Sequence, residues 1–143
     1  MQALTILLPM SALVIWTLLV LLLIPYRRFR AAFRKQVSPE DFRYGESAAV
    51  PEEVRIPNRN FMNLLELPVL FYLLCLTLLI TQRVDQWALG LAWIYVALRI
   101  VHSLIHLSYN RVTHRLTVYG LSNFVLSAMW LRFVVWLIPA ALA

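Results

Sequence analysis

Two short patterns in this chain gather groups that hold charged ligands and move protons: Arg59-x3-Asn63-x2-Glu66 and Arg99-x2-His102-x3-His106. Both interrupt apolar runs, where hydrocarbon penalises any polar group left alone. At 100° per residue Arg59, Asn63 and Glu66 fall at about 0°, 40° and 340°, and Arg99, His102 and His106 at about 0°, 300° and 340°. Each pattern is therefore one stripe of a helix. A rise of 1.5 Å per residue puts Glu66 roughly 8–10 Å, and Arg99 roughly 12 Å, below the same membrane surface, so the two stripes can meet. Guanidinium, imidazole, amide and carboxylate groups brought together in this way suit a charged, hydrogen-bonding guest. A Glu66–Arg99 ion pair could also do no more than fix helix register. Asn63, His102 and His106 extend the stripes toward a water-facing mouth, which favours a pocket. His102 and His106 have the i, i+4 spacing of metal ligands, but no HExxH or Cys/His cluster accompanies them, and no metal is expected.

The elements that must position these residues are membrane spans. Of 143 residues, 62% are hydrophobic and 14% charged. Four stretches, 3–24, 62–81, 86–107 and 118–142, are long and apolar enough to cross a bilayer. The expected fold class is an all-α membrane protein, a four-transmembrane-helix bundle forming one domain over 1–143. The only sizeable extramembrane segment is 25–60. It opens as a basic continuation of helix one (Arg27, Arg28, Arg30, Arg34, Lys35) and becomes an irregular loop marked by Pro39, Gly45, Pro51 and Pro57. Helix two is expected to begin near Pro57-Asn58, since proline is favoured in a first turn, and to kink at Pro68. The first helix lacks the basic start and small-residue end of a cleavable signal peptide, and is expected to stay.

Eight of the thirteen Lys and Arg residues lie between Arg27 and Arg59, and Arg111 and Arg115 lie in the 108–117 connection. The positive-inside bias puts both segments in the cytoplasm and both termini outside, in an inner or plasma membrane. The net charge of +6 mostly expresses that bias, and a basic face also attracts anionic lipids. Cys75, the only cysteine, reads as a small buried apolar residue. The tryptophans read as interface belts and packing, and Arg132 as a snorkelling residue or a contact to a neighbouring subunit. No Gly-rich phosphate loop, GxSxG, catalytic carboxylate pair or nucleic-acid motif is present. Beyond Arg99 helix three offers only Tyr95 and Trp93, which argues against an ion path.

Taken together, the two motifs resemble those of the MAPEG family, the membrane-associated proteins of eicosanoid and glutathione metabolism, and the chain is identified as a member of bacterial type. The family includes microsomal glutathione transferases, a leukotriene synthase and a microsomal prostaglandin synthase. Arg59, Asn63, Glu66 and the following Pro68 are similar to its Arg/Asn/Glu signature. Arg99, His102 and His106, followed by Arg111, Arg115 and Tyr119, resemble helix three and the start of helix four in the prostaglandin branch. The resemblance implies a homotrimer with glutathione bound between subunits near the cytoplasmic face. It assigns Arg59, Asn63, Glu66, Arg99, His102, His106 and Tyr119 to binding, Arg115 to the place beside the thiol, and one of Arg27, Arg28 and Arg30 to a basic position ending helix one.

Three positions depart from the pattern. His106 stands where the family has a tyrosine, Leu116 where the prostaglandin branch has a serine, and Leu67 where the leukotriene branch has a tyrosine. The activity implied is a glutathione-dependent transferase or peroxidase acting on a lipophilic electrophile from the bilayer. A non-catalytic lipid-binding or scaffold protein of the same fold is the alternative.

Overall fold

The computed structural model describes residues 2–142. Four helical units in it are long and apolar enough to cross a membrane: Ala3–Phe33, Glu52–Ile80, Gln86–Leu107 and Val112–Pro139. In chain order, a 3-10 turn (Gln2–Ile6) leads into α1 (Leu7–Phe33), followed by α2 (Glu52–Leu65), α3 (Pro68–Ile80), α4 (Gln86–Leu107) and α5 (Val112–Leu142). One end of the bundle, formed by the C-terminus of α1, the loop after it, the start of α2 and the α4–α5 connection, carries most of the cations; it is called the basic end below.

The four spans fall where the apolar runs put them, but two of their boundaries move. The second span starts at Glu52, not near Pro57-Asn58. Pro51 has the extended backbone of a helix-capping residue, its carbonyl accepts from the Val54 and Arg55 N–H groups at 3.0 and 3.2 Å, and Glu52 and Glu53 complement the positive pole of the first turn. Pro57 is consequently buried inside α2. The fourth span starts at Val112, so the α4–α5 connection is only Ser108–Arg111. Asn110 turns it, taking a positive φ of 49° while its N–H reaches the Ile105 carbonyl at 2.8 Å. Arg115 thereby joins the first turns of α5, one turn before Tyr119.

The kink expected from Pro68 is a break. Proline cannot supply the N–H that the preceding turn needs, so α2 ends at Leu65 and α3 restarts at Pro68. Val69 and Leu70 bond back only three residues, to Glu66 and Leu67 at 3.2 and 3.0 Å. The last carbonyls of α2 are left for partners from outside the helix.

Segment 34–51 folds back rather than hanging free. Asp41 accepts from the Ser38 N–H and the Ser47 hydroxyl, both at 2.8 Å, while Arg28 reaches Glu46 at 3.0 Å and stacks on Phe42. Ala31, Val50 and Val54 bury against Val37 and Phe42 beneath it. The main core runs through the bundle, where Leu13, Val20, Leu64, Phe71, Leu74, Cys75, Ala92, Tyr95 and Met129 interlock. Lipid is as apolar as such a core, so close packing and a few interhelical polar bonds, rather than expulsion from water, hold the helices together.

Candidate functional site

Arg99 is fully buried, and it does not meet Glu66. Its Nη2 donates instead to the backbone carbonyl of Asn63. In an unbroken helix that carbonyl would serve the N–H of residue 67; the break at Pro68 frees it, and a cation at the negative pole of α2 is the natural cap. Glu66 sits at the end of α2 and is exposed, within electrostatic reach of Arg99 but without an ion-pair partner among the described residues. The expected pairing assumed one straight helix through residue 66, and the break turns the carboxylate away.

Around Arg99 the other residues gather from α4 and α5. Its guanidinium carbon lies 5.5 Å from the centre of the Tyr119 ring, His102 lies 5.7 Å from the same ring, and the His102 and His106 rings are 6.2 Å apart. Arg115 is half-buried and held by Asn110, whose Oδ1 accepts from Nη1 at 2.7 Å. Arg59 is exposed on α2, within electrostatic reach of Arg115 and His106. The side chain of Asn63 bonds back to the Arg59 carbonyl at 3.0 Å. Arg99, His102 and His106 thus form one buried cluster flanked by the half-buried Tyr119 and Arg115, while Arg59 and Glu66 are exposed on α2 and Asn63 is half-buried between them. Of the three candidate cations ending helix one, Arg28 is spent on Glu46 and Arg30 faces outward. Arg27 lies between Ile24 and Ala31 on the bundle-facing side.

Several donors in this cluster are orphans. Nε and Nη1 of Arg99, Nδ1 of His102 and Nε of Arg115 are buried and have no hydrogen-bond partner among the described residues. Buried polar atoms are normally paired, and unpaired ones also occur elsewhere in the bundle, at Trp16, Arg55, Tyr95 and Asn123.

Sequence reasoning missed Asn60 and Ser103. Both are fully buried, and the Asn60 Nδ2 donates to the Ser103 Oγ at 2.6 Å, tying α2 to α4 one residue away from Arg59. The available signal was an amide lying in line with Val54, Pro57 and Leu64, the buried stripe of α2.

Arg132 makes an intrachain contact that the sequence did not suggest: a two-pronged pair with Asp85, the residue whose Oδ1 caps α4 at the Ala88 N–H. A cavity of about 130 Å³ lies there, between Arg83, Asp85, Arg132 and Trp136. A shallow groove of about 460 Å³ follows the α3–α5 seam past Leu70, Asn123 and Trp130.

The MAPEG family profile matches residues 6–135, all four spans included. This chain belongs to the MAPEG family. No curated protein and no solved structure matches it. For a MAPEG protein the four apolar helices make an integral, multi-pass membrane protein in contact with lipid, and membership points to a glutathione-related function of the transferase or isomerase type.

Proposed function

We propose that this MAPEG protein is a glutathione-dependent transferase or peroxidase acting on a lipophilic electrophile, with glutathione held between the subunits of a homotrimer near the basic end. The carrying observation is the set of orphaned donors on Arg99, His102 and Arg115, which suits an anionic, multiply hydrogen-bonding peptide. Free N–H groups on a buried guanidinium suit an anionic acceptor such as a carboxylate. Arg59 and Arg27 supply further cations, Glu66 suits an ammonium group, and Tyr119 closes the cluster beside His102. The exposed stripe of Arg59 and Glu66 lies on a membrane-spanning unit, where bare charges facing lipid are costly, and a neighbouring copy of the chain would cover it. The concentration of cations at one end supports a cytoplasmic site, with both termini outside, in an inner or plasma membrane.

Glutathione supplies a nucleophilic thiol when bound. Arg115 is the residue for it: a guanidinium stays charged throughout the physiological range and favours the ionised form of a nearby thiol, whose ordinary pKa is about 8.5. Asn110 aims that guanidinium, leaving Nε free. The orphaned imidazole nitrogen of His102 suits a hydrogen bond to the peptide. The electrophile arrives through the bilayer, where it is concentrated.

Ultraviolet difference absorption on the detergent-solubilised protein tests the reading. Wild type mixed with glutathione should show thiolate absorption that Arg115→Ala loses; an equally negligible signal from both overturns thiol activation. Conjugation of a model electrophile separates the enzyme from a lipid-binding or scaffold protein of the same fold, which would bind lipid or a partner without consuming glutathione.

A further inference from the structure

α1 is longer than a bilayer core requires. Its 27 residues, Leu7–Phe33, span about 40 Å against a hydrocarbon thickness of about 30 Å, so its last turns reach into the headgroup layer. The outward stripe of the helix changes character at that level. Ile15, Leu18, Leu19 and Leu22 make it aliphatic, then Tyr26, Phe29 and Phe33, spaced three and four apart, make it aromatic, with 59%, 65% and 87% of their surface exposed. Arg30 lies among these rings, and Arg34 and Lys35 follow where the helix closes.

These three cations are free. The acidic groups of the adjoining loop are already committed: Glu46 to Arg28, Glu40 to Arg43, and Asp41 to Ser38 and Ser47. Among the described residues Arg30, Arg34 and Lys35 have no ion-pair partner, and all three are exposed. On the loop side of the same turns an open cleft of about 490 Å³ has nearly continuous apolar walls from Ile24, Pro25, Phe29, Val37 and Phe42. A surface that is aromatic and apolar at one height and rimmed by unpaired cations matches the boundary between acyl chains and headgroups.

We infer that this end of α1 is a docking surface for anionic phospholipid, with Tyr26, Phe29 and Phe33 at the glycerol level and Arg30, Arg34 and Lys35 on the phosphates. Charge complementarity selects the lipid class. A zwitterionic headgroup brings its own cation to the phosphate, whereas an anionic one leaves net charge for three unpaired basic side chains. The inference stands apart from the glutathione reading, whose helix-one cation is Arg27.

The test reconstitutes the full chain in nanodiscs of equal phosphatidylglycerol and phosphatidylcholine and counts the lipids it retains on release by native mass spectrometry. Wild type should retain phosphatidylglycerol in clear excess. The single variants Arg30→Gln, Arg34→Gln and Lys35→Gln should each cut that preference by a factor on the order of five, and the triple variant should bring it near parity. Arg43→Gln/Arg111→Gln, which removes cations elsewhere on the basic end, should leave it intact. Equal retention of both lipids by wild type overturns the proposal, as does an undiminished preference in the single and triple variants. A second copy of the chain seated on this face would give the first of those results.

Discussion

The two ends of the bundle treat their charges differently: Asp85 and Arg132 pair while half exposed, whereas Arg99 is fully buried with no ion-pair partner among the described residues. At the end away from the cations, Asp85 accepts from the Ala88 N–H and from both terminal nitrogens of Arg132, while Arg83 stacks on Trp136 at 4.1 Å. The Asp85–Arg132 pair staples the start of α4 to α5. At the basic end, Arg99 makes one bond to a backbone carbonyl and leaves Nε and Nη1 unanswered, with His102 and Arg115 in a similar state. Satisfied polar clusters stabilise a fold; unsatisfied ones destabilise it until something binds. The first end is architecture, and the second is where the proposed site lies.

The sharpest way to break that contrast is to exchange each arginine for methionine. Arg99→Met removes a buried charge that the protein only partly answers, and the Asn63 carbonyl loses its cap. These effects oppose each other, so the thermal midpoint should stay within about 4 °C of wild type. Glutathione affinity should fall by the equivalent of about 2–5 kcal/mol, the usual cost of removing one partner of a buried charged contact. Arg132→Met should do the reverse, lowering the midpoint with affinity unchanged. Titration calorimetry and thermal unfolding on the same detergent preparations measure both. If Arg99→Met binds normally but unfolds early, Arg99 is only the cap of α2 and the contrast fails.

Much of this arrangement was legible because membranes write strongly in sequence. Four apolar runs and their cation bias yielded the spans and the basic end, and polar residues inside those runs had few reasons to be there other than Arg99, His102 and His106 turning inward together. Pro68 announced the break. What stayed hidden was its consequence: projecting Asn63 and Glu66 along one continuous helix brought the wrong group to Arg99, because the freed carbonyl is invisible in a residue list. The start of α2 was misplaced since Pro51, Glu52 and Glu53 compete with Pro57 as helix openers. Asp85 and Arg132 lie 47 residues apart, and their pairing follows only from how α4 and α5 pack.

The Asn60–Ser103 bond sharpens the comparison from within the basic end, being a buried side-chain bond between helices, although the Asn60 Oδ1 has no partner among the described residues. Asn60→Ala leaves the buried Ser103 hydroxyl without its donor, and Ser103→Ala leaves the amide bare. Each should cost about 1–2 kcal/mol in unfolding from detergent. The double variant should cost less than the sum, because removing both groups leaves neither stranded. Glutathione affinity should drop modestly in all three, since the bond fixes the α2–α4 register that brings the Asn63 carbonyl to Arg99. Additive losses would mean that the two side chains stabilise the helices independently.

The smallest effect belongs to the stapled end and appears in acid. The Arg132 hydrogen bonds hold the Asp85 carboxyl down at about 2, against an ordinary value of 3.8. The folded protein therefore binds that proton less readily than the unfolded chain. The contribution is complete above the unfolded value and is lost as pH falls from 3.8 toward about 2. About half of the Asp85 side chain is exposed, so solvent screening keeps the gain below about 1 kcal/mol. Asp41 is also held below the usual carboxylate range, by the Ser38 N–H and then the Ser47 hydroxyl. The informative quantity is thus the difference between wild type and Asp85→Asn. Their midpoints should stand apart at pH 6 and converge as pH approaches 2, while salt at neutral pH narrows the gap. A gap that stays constant down to pH 2 would mean that the ionised carboxylate, and so its pairing with Arg132, is not what separates the two proteins.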